Sequence, residues 1–489
     1  MLAHKLLKII SLPSIYHSSD APCRPTHFCL HRWTTFRLSN HIHGIYTTPQ
    51  AHCAKQLSFA ANPHCMRTSL LLACLLLAAT AFGQNDKAAI KEKYGTIRNL
   101  TRDVEQLAHD DMEGRETGTP GEAKAAAYIA KRFGMAGLKP KGTEEWYQEF
   151  EGKPEADPHG HGSTEATHSE AKDNNPIIGK NVIGYLDNGA ATTVVIGAHY
   201  DHLGYGEEGS LHAGKKAIHN GADDNASGVA ALIELATRLR FNDKAKNNNY
   251  LFIAFSGEEK GLWGSNWFCK HPTIDLKTVN YMMNMDMVGR LNAEGSLAVN
   301  GTGTSPLWAG LLSALPKDGL KLVTSPGGVG PSDHTSFYLQ DIPVLHFFSG
   351  QHEDYHKPSD DADKINYDGM FKIVKFMQAI IESLDDDEKL AFTKTKDENS
   401  TKAPKFSVTL GVMPDYLFSG NGMRIDGIID DRPAQKAGLQ KGDVVIALGN
   451  HAVNDMRSYM TALSKFEKGD KTVVKVQRGD KEVQADIAF

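Results

Sequence analysis

Five short segments carry acidic residues or histidine just past stretches that read as strands. They are His199-Tyr-Asp201-His202, Asn220-Gly-Ala-Asp223-Asp224-Asn225, Ser256-Gly-Glu258-Glu259, Asn284-Met-Asp286 and Tyr355-His356. Their donors are nitrogen and oxygen, with no thiol among them, which suits zinc or a similar divalent ion. Two histidines and three carboxylates are more than one tetrahedral zinc with an open position takes. They suit two ions that share a carboxylate and a water, a pair that activates the water and holds a developing oxyanion. Each segment alone has a plainer reading. Asp-Asp-Asn-Ala-Ser-Gly before a helix satisfies orphan N–H groups, and Glu-Glu after a strand commonly faces solvent. Five such segments at matching strand ends make one constellation.

The elements between these segments have the pattern needed to gather them. Thr192 to Ala198, Tyr250 to Phe255, Val279 to Met285 and Ile342 to Phe348 are apolar runs of strand length. Ala226 to Leu239 has helical spacing of Val229, Leu232, Ile233, Ala236 and Leu239, and helices are also expected over Lys87 to His109 and Glu122 to Met135. Continuous apolar strands alternating with helices predict an α/β fold, a mostly parallel mixed sheet covered by helices on both faces. In such a sheet the carboxyl ends of the strands form the binding edge. Between the helices, Asp110 to Gly121 reads as a loop rich in Gly, Thr and Glu. Gly152 to Asn175 is polar, with His159, His161 and His168, and reads as a solvated loop.

At the five segments the chain resembles the co-catalytic zinc peptidases that include leucyl-type aminopeptidases and glutamate carboxypeptidases. The matching motifs are Gly-Ala-His199-Tyr-Asp201-His-Leu-Gly, Asn-Gly-Ala-Asp-Asp224-Asn-Ala-Ser-Gly, Phe-Ser-Gly-Glu258-Glu259-Lys-Gly-Leu-Trp-Gly-Ser, Asn-Met-Asp286-Met-Val-Gly-Arg and Tyr355-His356, within Lys87 to Ser383. The resemblance implies two zinc ions per chain. It implies that His199 and Asp286 hold one, Glu259 and His356 hold the other, and Asp224 bridges them. It further implies Glu258 as general base, Asp201 as the carboxylate that orients His199, and Tyr355 as a hydroxyl steadying the tetrahedral intermediate. Asp333 and His334 match a loop beside the site.

The remaining chain divides by composition. Its 489 residues allow two or three domains, and 40% hydrophobic with 23% charged residues is ordinary for a soluble globular protein. A formal charge of −6 without a basic stripe excludes a nucleic-acid surface. Met66-Arg67, the apolar run Leu70 to Ala81 and Phe82-Gly83-Gln84 read as a secretory signal over 66–83. That run is too short to anchor in a bilayer, so export to the periplasm or medium without stable membrane insertion is expected. Residues 1–65 are then expected to be an unstructured leader upstream of the true start. Of the six cysteines, Cys23, Cys29, Cys53 and Cys65 fall in that leader and Cys74 in the signal. Cleavage near Gly83 leaves Cys269 alone, hence no internal disulfide.

A peptidase domain is expected over 84–384 and a charged linker over 385–405. Residues 406–489, with short alternating strands, form a small separate domain. Its stretch Pro433-Ala-x-x-Ala-Gly438-Leu-x-x-Gly-Asp443-Val resembles a PDZ domain of the bacterial type. The resemblance implies capture of a peptide C-terminus as an added strand, with the carboxylate at Leu410-Gly411-Val412.

The expected activity is removal of N-terminal residues from peptides. The competing readings are a carboxypeptidase, a glutaminyl cyclase-like enzyme on the same fold, and a non-catalytic peptide-binding protein. A carboxypeptidase needs basic residues to pair the substrate carboxylate, and Arg290 is the only arginine immediately beside a motif. The cyclase resembles a one-zinc site, which the intact Glu258-Glu259 pair with both histidines argues against. A non-catalytic relative has no need of the full set.

Overall fold

The computed structural model describes residues 87–152, 176–212, 214–395, 408–415, 418, 420–429 and 432–489. The expected leader and signal, the stretch holding His159, His161 and His168, and residues 396–405 of the expected linker lie outside the described residues. No helix among those described is long and apolar enough to cross a membrane.

Helix α1 covers residues 87–107 and buries Leu100, Val104 and Leu107, spaced four and three apart on one face. Helix α2 (Pro120–Ala136) starts where Thr119 accepts from Glu122 N and proline fills the first turn. Three strands follow it: the short edge strands β1 (Lys139–Pro140) and β2 (Tyr147–Gly152), and the longer inner strand β3 (Ile177–Leu186). The core then runs β4 (Thr192–His199), α3 (Gly228–Arg240), β5 (Asn248–Phe255), α4 (Trp263–Lys270) and β6 (Val279–Met285). It closes with β7 (Ser296–Asn300), α5 (Leu307–Ala314), β8 (Lys321–Ser325), α6 (His334–Tyr338), β9 (Val344–Phe348) and α7 (Tyr367–Ser383).

These nine strands form one sheet in the order β1-β3-β5-β4-β6-β9-β7-β8, with β2 paired to β3. Pairing is parallel across β5, β4, β6 and β9, where every residue of β5, β6 and β9 is buried. Antiparallel strands flank this centre on both sides. Continuous apolar runs thus mark the doubly covered centre, as expected. Helices α2, α3 and α7 cover one face, and α4 and α6 cover the other with Phe255, Phe268 and Phe337.

Strand β4 is the switch point. The chain goes from β4 to β5 on one side and then to β6 on the other. Register sets the binding edge: His199 pairs with Phe255, and Gly197 with Asn284. His199 therefore stands level with Asp286, and Glu258 follows three residues past Phe255.

The stretch 385–395, which composition marks as the start of a linker, lies along this domain. Asp385 accepts from Lys246 N and Asn247 N, Leu390 is buried in the main core, and Thr395 bonds Tyr338.

The C-terminal part has its own core around Leu410, Ile425, Val445, Leu448 and Val474. Its strands are β10 (Val412–Pro414), β11 (Met423–Ile428), β12 (Val444–Leu448), β13 (His451–Ala452), β14 (Lys471–Arg478) and β15 (Lys481–Ala488), with helices α8 (Pro433–Lys436) and α9 (Met456–Leu463). The sheet order is β10-β11-β12-β14-β15, so β10 is an edge strand. Gly411 has φ 72°, and a Cβ there would lie 2.0 Å from Arg432 Cβ, so this loop takes glycine.

Candidate active site

The Asp224 loop is built by backbone contacts. Gly221, at φ 55°, opens one wide turn over Ala222–Ser227, and a Cβ on it would lie 2.2 Å from Asp224 O. This turn is why α3 begins at Gly228 and not at Ala226. Asn225 Oδ1 accepts from Gly228 N and Met287 N, while its Nδ2 donates to Met285 O. The turn is thereby tied to the end of β6. The Asp360 carboxylate accepts from both Asp223 N and Asp224 N at 3.0–3.1 Å. The Asp223 side chain has partners of its own. It accepts from Gly289 N at 2.6 Å and faces His352 Nε2 at 3.2 Å.

Asp224 divides its two oxygens. Oδ1 lies 3.4 Å from His199 Nε2, which is also 3.2 Å from Asp286 Oδ1. Oδ2 lies 3.3 Å from His356 Nε2, which is also 3.3 Å from Glu259 Oε2. Ligand atoms about 2.0–2.1 Å from a tetrahedral zinc stand about 3.3–3.4 Å from one another. The four separations match that edge, so the residues fit two zinc ions with Asp224 between them. His199, Glu258 and Asp286 cluster as one group of close donor atoms, and His202, Asp224 and Glu259 as a second.

Beside the His202 of the second group stands another imidazole, His356, close to the same two carboxylates. His202 Nδ1 is 2.9 Å from Glu259 Oε1, a hydrogen-bond distance shorter than a tetrahedral edge. His356 keeps its Nε2 at 3.3 Å from both carboxylates, while its Nδ1 faces Gly209 O at 2.9 Å. This is the usual support of a metal-ligating histidine. His356 has the geometry of a ligand and His202 that of a donor fixing Glu259. Tyr355 stacks on the His356 ring with centroids 3.8 Å apart.

Asp201 reaches His199 Nδ1 through its backbone carbonyl at 3.3 Å, with Oδ1 at 3.7 Å. Its carboxylate accepts from Glu258 N at 3.2 Å and Glu259 N at 3.4 Å. Asp333 and His334 are fully buried, and His334 stacks on His346 with centroids 4.4 Å apart.

The electrostatics call for cations. Burial, with Asp286 and Glu259 close by, holds the Glu258 carboxyl well above the usual range despite His199. Burial and Glu259 push Asp224 up to about 7. Burial alone would lower His356, but Glu259 and Asp224 raise it to about 10. His199 likewise overcomes burial through Glu258 and Asp286 and is raised. The two imidazoles are drawn toward their protonated forms, which place positive charge where divalent ions would supply it.

Residues 181–381 match the family model described as Peptidase family M28, and residues 391–489 match the one described as PDZ domain. The first match spans the parallel centre of the sheet and the second spans the C-terminal strands. It is 29% identical over 234 residues to the uncharacterized protein YfbL of Escherichia coli, covering 41% of this chain and 70% of that protein. It is 30% identical over 183 residues to aminopeptidase YwaD of Bacillus subtilis, covering 35% of this chain and 37% of that one. A solved zinc aminopeptidase from Bacillus subtilis superposes with a TM-score of 0.46 at 19% identity, covering 61% of this chain and 98% of that chain.

Sequence reasoning gave no role to four residues around the M28 site. His202 and Asp360 sit beside the ligands and could have been noticed as the second histidine of the first motif and the acid four residues past His356. Arg115 and Thr117 precede the matched stretch, in the loop read only as rich in Gly, Thr and Glu. Arg115 is 1% exposed and donates to the carbonyls of Leu107, Tyr200, Asn220 and Gly221. The one available signal was an arginine among glycines in a chain whose buried acids need balancing.

Proposed function

We propose that the protein is an exported two-zinc aminopeptidase. The observation that carries this reading is the divided Asp224 carboxylate, with Oδ1 3.4 Å from His199 and Oδ2 3.3 Å from His356. His199 and Asp286 would hold one zinc, Glu259 and His356 the other, and Asp224 both. Bound there, the pair would polarise the scissile carbonyl and make the attacking water more acidic.

The chain's own residues do the rest. Glu258, 4% exposed on the turn after β5, takes the water's proton and passes it to the departing amine. The Tyr355 hydroxyl donates to the oxyanion as it forms. Asp201 holds the backbone of the Glu258-Glu259 pair.

A free amino terminus is favoured over a free carboxylate because neighbouring cations are already committed. Arg290 donates both terminal nitrogens to Asp354 at 3.2 Å. Lys260 is held by Glu116 and Glu208. The activity named for YwaD supports the same choice. In the PDZ domain, the exposed edge of β10 beside Leu410-Gly411-Val412 would take a peptide C-terminus as an added strand. The segment 66–83 would direct export.

The test uses protein beginning at Gln84, loaded with zinc, on aminoacyl and N-blocked peptide substrates. Release of N-terminal residues is expected. Cleavage of blocked peptides only, or cyclisation of N-terminal glutamine, overturns the reading. Glu258→Ala should lower turnover by roughly a hundredfold or more with zinc retained. Persistent turnover would rule out Glu258 as the base.

A further inference from the structure

We propose that Thr117 is a positioning residue for the Glu258-Glu259 pair, acting through Asp201. The proposal rests on the reading of Glu258 as base. Asp201 Oδ1 accepts from Glu258 N and Oδ2 from Glu259 N, so one carboxylate fixes the backbone of the proton carrier and of a zinc ligand. That carboxylate has two torsions of its own and must be held in turn. The Thr117 hydroxyl donates to Asp201 Oδ2 at 3.0 Å. Thr117 is 3% exposed and Asp201 is fully buried, so water does not substitute for this bond.

A second buried hydroxyl lies on the outer side of Thr117. Ser256, the residue two before Glu258, has its hydroxyl 3.3 Å from Thr117 Oγ1 and donates to Glu122 Oε1 at 2.6 Å. Glu122 also accepts from Gly118 N at 2.8 Å and Lys180 N at 3.0 Å. Those amides pin both Glu122 oxygens. The start of α2, the loop before it, β3 and the end of β5 thus meet in one buried set of polar side chains that ends on the Glu258 amide. The loop lies N-terminal to residues 181–381, so a segment outside the M28 match completes the site.

The bond predicts a dependence on the hydroxyl and not on the volume of the side chain. Thr117→Val keeps the shape and removes the donor. In zinc-saturated full-length enzyme it should lower kcat by roughly tenfold or more, with KM changed less than twofold and two zinc ions still bound per chain at saturation. Zinc should also be lost faster to a chelator, because the Glu259 backbone is released from its clamp. Thr117→Ser should restore both readouts. Adding Thr117→Val to Asp201→Asn should cost nothing further, because both act on one chain of contacts. Wild-type kcat and zinc retention in Thr117→Val, with Glu258→Ala inactive, overturns the proposal and leaves the base assignment standing. A folded Thr117→Ser as impaired as Thr117→Val also overturns it, since the methyl and not the hydroxyl would then matter. An active Glu258→Ala overturns the base assignment instead.

Discussion

Asp224 is the residue on which the two donor groups depend. Each of its oxygens faces a different histidine, so the side chain cannot be replaced without touching both groups. His356 Nε2, by contrast, stands beside the Asp224 and Glu259 oxygens of one group. Metal analysis after dialysis should therefore separate the two. Asp224→Asn should leave less than one zinc per chain, whereas His356→Ala should leave about one. Two ions retained in Asp224→Asn would contradict a bridging role. The expected donors were drawn from the sequence because His199, Glu258, Glu259 and Asp286 stand at or just past the ends of apolar runs, while Asp224 and His356 lie in loops and entered through motif resemblance. Their supports were not. Asp360 acts on backbone N–H groups and His202 on a carboxylate, and neither contact leaves a periodic or compositional trace. Telling His202 from His356 takes distances, 2.9 Å against 3.3 Å to Glu259.

Elements hold these residues through loops more than through the strands themselves. The strands, their parallel centre and the binding edge follow from the apolar runs. The loop that locks the edge does not, because much of its cohesion comes from individual side-chain bonds. The Arg115 guanidinium joins the end of α1, the residue after β4 and the turn before Asp224 by four bonds of 2.6–2.9 Å to carbonyls. Removing it takes a donor from four buried carbonyls, of which Gly221 O keeps the Ala226 amide. Arg115→Met should lower unfolding free energy by at least about 3 kcal/mol, read as a lower urea midpoint. Arg115→Lys should fail nearly as badly, since one ammonium cannot span the same fork. A second lock lies beside His356. Asp354 bonds Lys364, Ser359 and Arg290, which together outweigh burial and pull its carboxyl down to about 2. A folded value below the ordinary value of about 3.9 stabilises the fold above that value. The contribution is lost as pH falls toward about 2. Thermal unfolding should drop across that window, and Asp354→Asn should flatten the drop.

At the scale of the whole molecule the question is where the peptidase domain ends. Composition places the boundary after Leu384, because Asp385 onward is charged and rich in Thr and Lys. Physical contacts place it later. Asp385 caps two amides ahead of β5, Leu390 is 4% exposed in the main core, and its amide donates to Asn280 Oδ1 on β6. Phe392 packs on Tyr338, Thr393 N donates to Thr304 O, and Thr395 N donates to the Tyr338 hydroxyl. Sparse apolar residues hid this strap, since two well-placed side chains and a row of amide bonds suffice to seat it. A chain running from Gln84 to Thr395 should fold and retain wild-type turnover on a small aminoacyl substrate. Its core around Phe252 and Val374 is separate from the one around Val445 and Val474. A chain ending at Leu384 should be less stable by at least about 2 kcal/mol from the Leu390 side chain alone, with further loss from the unpaired amides of Lys246 and Asn247. Urea unfolding of the two truncations side by side decides the matter. Equal midpoints would mean that the strap is an appendage. A lower midpoint for the shorter chain, with turnover falling in step, would make residues 385–395 the last element of the peptidase domain.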